Sequence, residues 1–282
     1  MGLRDELKIR SALSKQQKGR KEEAMAMYAE LYEAGVVRSG YMLPYSTQLL
    51  KKGGEENYKL AMEILKKCQK APDLDQAHRI RLFVNYAAAQ YKLGDLPAAI
   101  RNMETIARKN STGDIYSVLG YLYVEAGWQG IPIPEKKDDF SAADTNADAG
   151  TDAESSEIPE ENKPAEETVS PKEYYFNKAV EFGKEGLDYD DEDAVVLDNM
   201  GQAYYRLAND KERAREYFEK AHEINPAQID TLYFLSRYDI EEGKIQDAIE
   251  KLETALQGNF SVLNFCTKEM CENDLEQLRA QV

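Results

Sequence analysis

The sequence is poor in the residues from which catalytic and metal sites are usually built. It holds two histidines, His78 and His222, one tryptophan, and three cysteines, Cys68, Cys266 and Cys271, with no Cys-x-x-Cys pair. An odd, sparse cysteine set argues against a disulfide framework and for a reducing compartment, so the chain reads as cytoplasmic. A zinc site would need ligands gathered from distant parts of the chain, against the usual ligand spacings, so no metal or other cofactor is expected. No glycine-rich phosphate loop, G-x-S-x-G elbow or H-E-x-x-H helix is present, and the expectation is a protein that is not an enzyme. No run approaches the roughly 18 apolar residues of a membrane helix. The first twenty residues are too polar for a secretory signal, and Glu6 stands where a myristoylation motif wants Ser or Thr. No membrane association is expected.

Basic charge is also scarce. Lys and Arg number 36 against 52 Asp and Glu, a net −16. The imbalance is uneven. Residues 1–130 carry 20 basic and 15 acidic side chains (+5), residues 131–171 carry 3 and 12 (−9), and residues 172–282 carry 13 and 25 (−12). Phosphate neutralisation needs clustered Lys and Arg, so nucleic acid is excluded as a partner.

What the sequence does have is internal repetition. Across residues 194–226, Leu197, Met200, Gly201 and Tyr204 lead to Ala214, Phe218, Ala221 and Pro226. The next unit restates the scheme with Leu232, Leu235, Ser236, Gly243, Ala248, Leu252 and Ala255, and Ala214 and Ala248 stand 34 positions apart. Upstream, Phe83, Tyr86, Ala87, Leu93, Gly94, Ala99 and Met103 form another unit. Leu119, Gly120, Tyr123 and Gly127 begin a further one. Weaker pairs precede them at Ala24, Tyr28 and Leu31 and at Ala61, Leu65 and Cys68. Small and bulky side chains thus recur at matching places from unit to unit.

This pattern, with its 34-residue period, resembles the tetratricopeptide repeat (TPR), and the chain is similar to short bacterial TPR proteins of unassigned activity. It implies an all-α, right-handed superhelix of about six helix pairs. Cys271, Leu275 and Leu278 at helical spacing supply a C-terminal capping helix. Units 1–127 and 171–282 flank an insertion at 128–170. From Gly120 to its counterpart Ala179 is 59 positions against 12 in an uninterrupted unit, so about 47 residues are inserted. That stretch holds four of the nine prolines and little apolar content, which predicts disorder over residues 131–170. It reads as an acidic solubilising loop, with a tethered competitor for the more basic N-terminal half as the alternative. Within it, Asp144, Asn146 and Asp148 begin like a calcium loop. Gly150 falls seventh and Glu154 eleventh where sixth and twelfth are needed, so calcium is not expected.

The resemblance also implies where a partner sits. The concave face of a TPR array is lined by set positions of the first helix of each pair. Here these are Arg81, Val84, Asn85, Tyr91 and Lys92, then Asp114, Tyr121 and Glu125, then Asn199, Gln202, Tyr205 and Arg206, then Tyr233, Phe234 and Arg237. Asn and Gln can donate to and accept from a peptide main chain, and Tyr and Arg are enriched at interface hot spots. The carboxylate clamp of chaperone-binding TPR domains is missing, because its positions read Val84, Ala88, Val118, Val195 and Asn199. The reading is a non-catalytic protein-interaction scaffold that binds a peptide or helix in the concave groove. An assembly subunit that uses its convex face or ends is the first alternative, and an enzyme or small-ligand binder the second.

Overall fold

Half of the helix starts with a described cap are fixed by short polar side chains that satisfy the first free N–H groups. Asp95 accepts from the Ala98 amide at 3.1 Å, Asp210 from Arg213 at 3.0 Å and Thr267 from Met270 at 3.1 Å, while Asp193 takes both Val195 and Val196. The computed structural model describes residues 3–109, 112–134 and 169–281. Among the described residues the chain is all helical. Its elements are α1 (Leu3–Gln17), α2 (Lys21–Glu33), α3 (Ser39–Lys52), α4 (Glu55–Cys68), α5 (Gln76–Lys92), α6 (Leu96–Ala107), α7 (Gly113–Gln129), α8 (Pro171–Tyr189), α9 (Ala194–Gln202), α10 (Lys211–Ile224), α11 (Ile229–Glu241), α12 (Ile245–Leu256) and α13 (Lys268–Arg279).

Each odd-numbered helix from α1 to α11 packs on the next even one, giving six pairs, and α13 covers the end of the last. Odd helices also touch one another along the row, α3 to α5, α5 to α7 and α7 to α9, so they form one continuous face. Close approach within and between pairs depends on small residues. A Cβ added at Gly201 would lie 2.6 Å from the Phe218 ring, and one at Gly183 would lie 2.2 Å from the Met200 sulfur. Neither is sterically possible without a shift. Cys271, Leu275 and Leu278 are the buried stripe of α13, as their spacing predicts.

The insertion does not disturb its host pair. Tyr123 of α7 meets Phe182 of α8 edge-on at 6.0 Å and Tyr175 at 6.4 Å, and the Tyr175 hydroxyl donates to the Pro132 carbonyl at 3.3 Å. The disorder expected over 131–170 lies outside the described residues except at 131–134, 169 and 170; the calcium-like stretch at 144–154 lies wholly outside. Helix α8 starts at Pro171 with Ser170 as its cap.

One extra residue in the fifth pair reads in the sequence as a longer turn at 208–211. The structure places it further upstream. Helix α9 widens into a π-helical turn over Ala203–Ala208, closed by Asn209 at φ 55°. An i to i+5 turn absorbs one residue inside the helix and rotates the side chains beyond it. It carries Tyr205 and Arg206.

Candidate functional site

The odd-helix face is not an open trough. The connection between α12 and α13 runs back over it, and its apolar residues reach every part of the core. Val262 and Leu263 pack against the N-terminal cluster built from α1 to α5, Leu263 and Phe265 against the cluster around α7, and Phe265 also against that of α9 to α11. With Phe260, which packs against the cluster of α11 to α13, they make four bulky apolar side chains in a loop, tolerated only if something buries them.

Polar grip comes mainly from Asp230, in the first turn of α11. Its carboxylate accepts the Phe265 amide at 3.0 Å, the Cys266 amide at 2.9 Å and the Asn264 side-chain amide at 3.1 Å. The segment has a turn of its own at Val262 and Leu263, where the Asn264 amide donates to the Ser261 carbonyl at 3.2 Å. The Tyr121 hydroxyl lies 3.4 Å from the Asn264 carbonyl and 3.2 Å from the Tyr91 hydroxyl, which donates to Glu125 at 2.8 Å. At the end of the segment, the Cys266 sulfur stands 3.0 Å from that of Cys271 in the core under α13.

Arg206 occupies the centre. Its guanidinium is 2.8 Å from Glu125, donates to Gln202 at 3.1 Å, and lies 4.1 Å from the Phe265 ring and 5.2 Å from that of Trp128. Arg206 and Glu125 are both buried, so neither charge has water as an alternative partner. Gln202 passes the network to Asp198 at 2.7 Å, and Asp198 accepts from Thr231 at 2.6 Å. Burial, then the nearby Asp230 charge, pushes Asp198 up to about 7, and burial raises Asp230 as well. Burial lowers the Lys92 ammonium, although Glu125 and Asp230 oppose that shift.

The residues expected on this face separate into four groups. Tyr91, Lys92, Tyr121, Gln202 and Arg206 meet in the network just described. Tyr205, Tyr233, Phe234 and Arg237 line a cleft of about 520 Å³ beside it, with Trp128, Lys172 and Phe265. Arg237 is ion-paired with Asp274 of α13 and lies 4.4 Å from the Tyr233 ring. Asn85 and Asn199 are buried staples instead: Asn85 donates to Ser46 and Thr47 of α3, and Asn199 donates to the Ser117 carbonyl of α7. Arg81 and Asp114 are exposed, and Val84 is half-buried among the apolar side chains around α7.

Sequence reasoning did not find Asp230, Asp198, Trp128 or Phe265. Asp230 reads as an ordinary first-turn acid. The available signal was Phe260, Val262, Leu263 and Phe265, an apolar cluster after the last repeat with no helical spacing. Among the described residues no group of three or more His, Cys, Asp or Glu could hold a metal ion, and no helix is long and apolar enough to cross a membrane.

The fold is that of TPR proteins. A tetratricopeptide repeat protein from Parabacteroides merdae superposes with a TM-score of 0.64 at 9% identity, over 98% of this chain and 85% of its own. The thermophilic TPR protein TTC0263 of Thermus thermophilus gives 0.57 at 14% identity, over 86% of this chain and 99% of its own. No family model matches the sequence, and no curated protein matches it either.

Proposed function

We propose that the chain is a non-catalytic protein-interaction scaffold of the cytoplasm that holds a peptide or helix of its partner on the odd-helix face. The observation that carries this reading is the set of three hydrogen bonds from residues 264–266 to Asp230, with Phe265 stacked between Arg206 and Phe234. A face that grips main-chain amides and an aromatic ring in this way has the chemistry of peptide recognition. Beside it, the cleft of Trp128, Tyr205, Tyr233 and Lys172 joins exposed aromatic surface to a cation, the composition of interface hot spots. The net charge of −16 weighs against nucleic acid as the partner.

The test is affinity purification from the source cell with the wild type and with a Trp128→Ala, Lys172→Glu, Tyr205→Ala variant. Proteins retained by the first and lost by the second support the reading. An identical set retained by both would remove the odd-helix face from consideration.

A further inference from the structure

Residues 260–266 occupy the odd-helix face as a ligand would, and they do not complete it. The segment is held by side chains from α7, α9 and α11, far from it in sequence: Tyr121, Arg206, Asp230 and Phe234. Space remains on both sides, about 270 Å³ between Val118, Asn199 and Leu263 and about 520 Å³ around Tyr205 and Trp128. At the wall of the larger cleft the Nε–H groups of Arg206 and Arg237 are buried and have no hydrogen-bond partner among the described residues. A buried donor without an acceptor is destabilising, so a ligand that brought an acceptor there would gain what the resident segment leaves unused.

We infer that this face is a peptide-binding site whose resident occupant is the chain's own segment 260–266, and that its partner is a peptide of the same chemistry. That peptide carries two aliphatic residues in a turn, then an amide side chain, then an aromatic ring. Its aromatic ring stacks on Phe234 and the Arg206 guanidinium, and its consecutive main-chain N–H groups bind Asp230. The partner binds by displacing residues 260–266, which remain tethered between α12 and α13. This inference rests on the scaffold reading and narrows it to one ligand class and one competitor. Tethering gives the resident segment a high effective concentration, so a free peptide of the same sequence competes poorly with it.

The experiment uses a labelled synthetic peptide of residues 259–267 with Ser in place of Cys266, titrated by fluorescence anisotropy. One receptor is the unaltered chain; the other is the full chain with residues 260–265 replaced by Gly and Ser. Binding to the second receptor at least ten-fold tighter than to the first is the expected result. Peptides with Ala in place of Phe265 or of Asn264 should then lose at least ten-fold. Equal binding to both receptors, or no binding to a replaced chain that keeps its helical circular dichroism, overturns the inference.

A second measurement on the unaltered chain covers the case in which the replaced chain fails to fold. Amides of Phe265 and Cys266 should exchange with deuterium through local opening, faster than those in the middle of α7. Exchange of the two sets at the same rate, through global unfolding alone, makes the segment part of the core and overturns the inference too. The scaffold reading would survive either failure if partner capture still depends on Trp128 and Tyr205.

Discussion

The guanidinium of Arg206 lies 4.1 Å from the ring of Phe265, so a helix of the fifth pair and the loop after the sixth share one cation–aromatic contact. Sequence separation hides it, but most of the odd-helix face is organised around it. The same guanidinium neutralises Glu125 and closes the hydrogen-bonded path through Gln202 to Asp198.

Removing that cation should be costly. Arg206→Ala leaves Glu125 buried without its paired guanidinium, and a loss of about 3–5 kcal/mol is expected in urea denaturation. The double variant Glu125→Gln, Arg206→Met removes both charges and should lie closer to wild type. If Arg206→Ala alone costs less than about 1 kcal/mol, the pair is solvated and the network is misassigned.

Phe265→Ala should loosen the C-terminal end selectively. The ring is half-buried, so about 2 kcal/mol is expected, below the 3–5 of a fully buried aromatic. Hydrogen exchange should rise over residues 259–279 while α1 to α4 keep their protection. Uniform loss along the whole chain would contradict this.

Stability should carry a signature of Asp198 between pH 4 and 8. Its pKa in the folded chain is raised to about 7, mainly by burial and then by the charge of Asp230, with Thr231, Gln202 and Arg206 acting the other way. A carboxyl raised on folding binds its proton more tightly in the native state. Its contribution is therefore complete below the ordinary carboxylate range and is lost as pH rises through about 7. The limiting slope for one proton is about 1.4 kcal/mol per pH unit. Asp198→Asn should flatten that fall and be more stable than wild type at pH 8, read from urea midpoints. Parallel wild-type and variant curves would reject the assignment.

Gly201→Ala tests the spacing of the fifth pair. The new methyl would stand 2.6 Å from the Phe218 ring, and overpacking of this kind costs about 1–3 kcal/mol despite the better helix propensity of Ala. Adding Phe218→Leu should recover part of the loss. A stabilised Gly201→Ala protein would show that the pair can separate freely.

The α7–α8 pair should tolerate a cut connection. Its contacts are made by Tyr116, Tyr123, Tyr175 and Phe182, all within the helices. A protease site placed within 135–168 should yield two fragments that still elute together in size exclusion. Separation of the fragments would mean that the covalent link holds the pair.

How much of this was legible in the sequence depends on the kind of signal each feature leaves. The six pairs and the α13 cap were legible because Gly201, Phe218, Ala214, Cys271 and Leu275 recur at spacings that only nested helices satisfy. The odd-helix positions were located, yet their state was not. Asn85 and Asn199 are polar in either case, whether they face a ligand or join two helices, and only the placement of Ser46, Thr47 and Ser117 decides between the two. The π-helical turn left one surplus residue, which a turn would explain equally well. The loop over the odd-helix face has no periodicity, so its four apolar side chains showed that burial was needed without showing where.

An array in which every unit touches only its neighbours can melt piecemeal from its ends. Val262 and Leu263 prevent that here, since they carry the last tenth of the chain back to helices near its start and clasp the two ends together. Heating or urea should therefore meet one cooperative transition for the whole length. Whatever displaces the clasp would return the ends to independent behaviour, making the cooperativity of unfolding itself a reporter of occupancy.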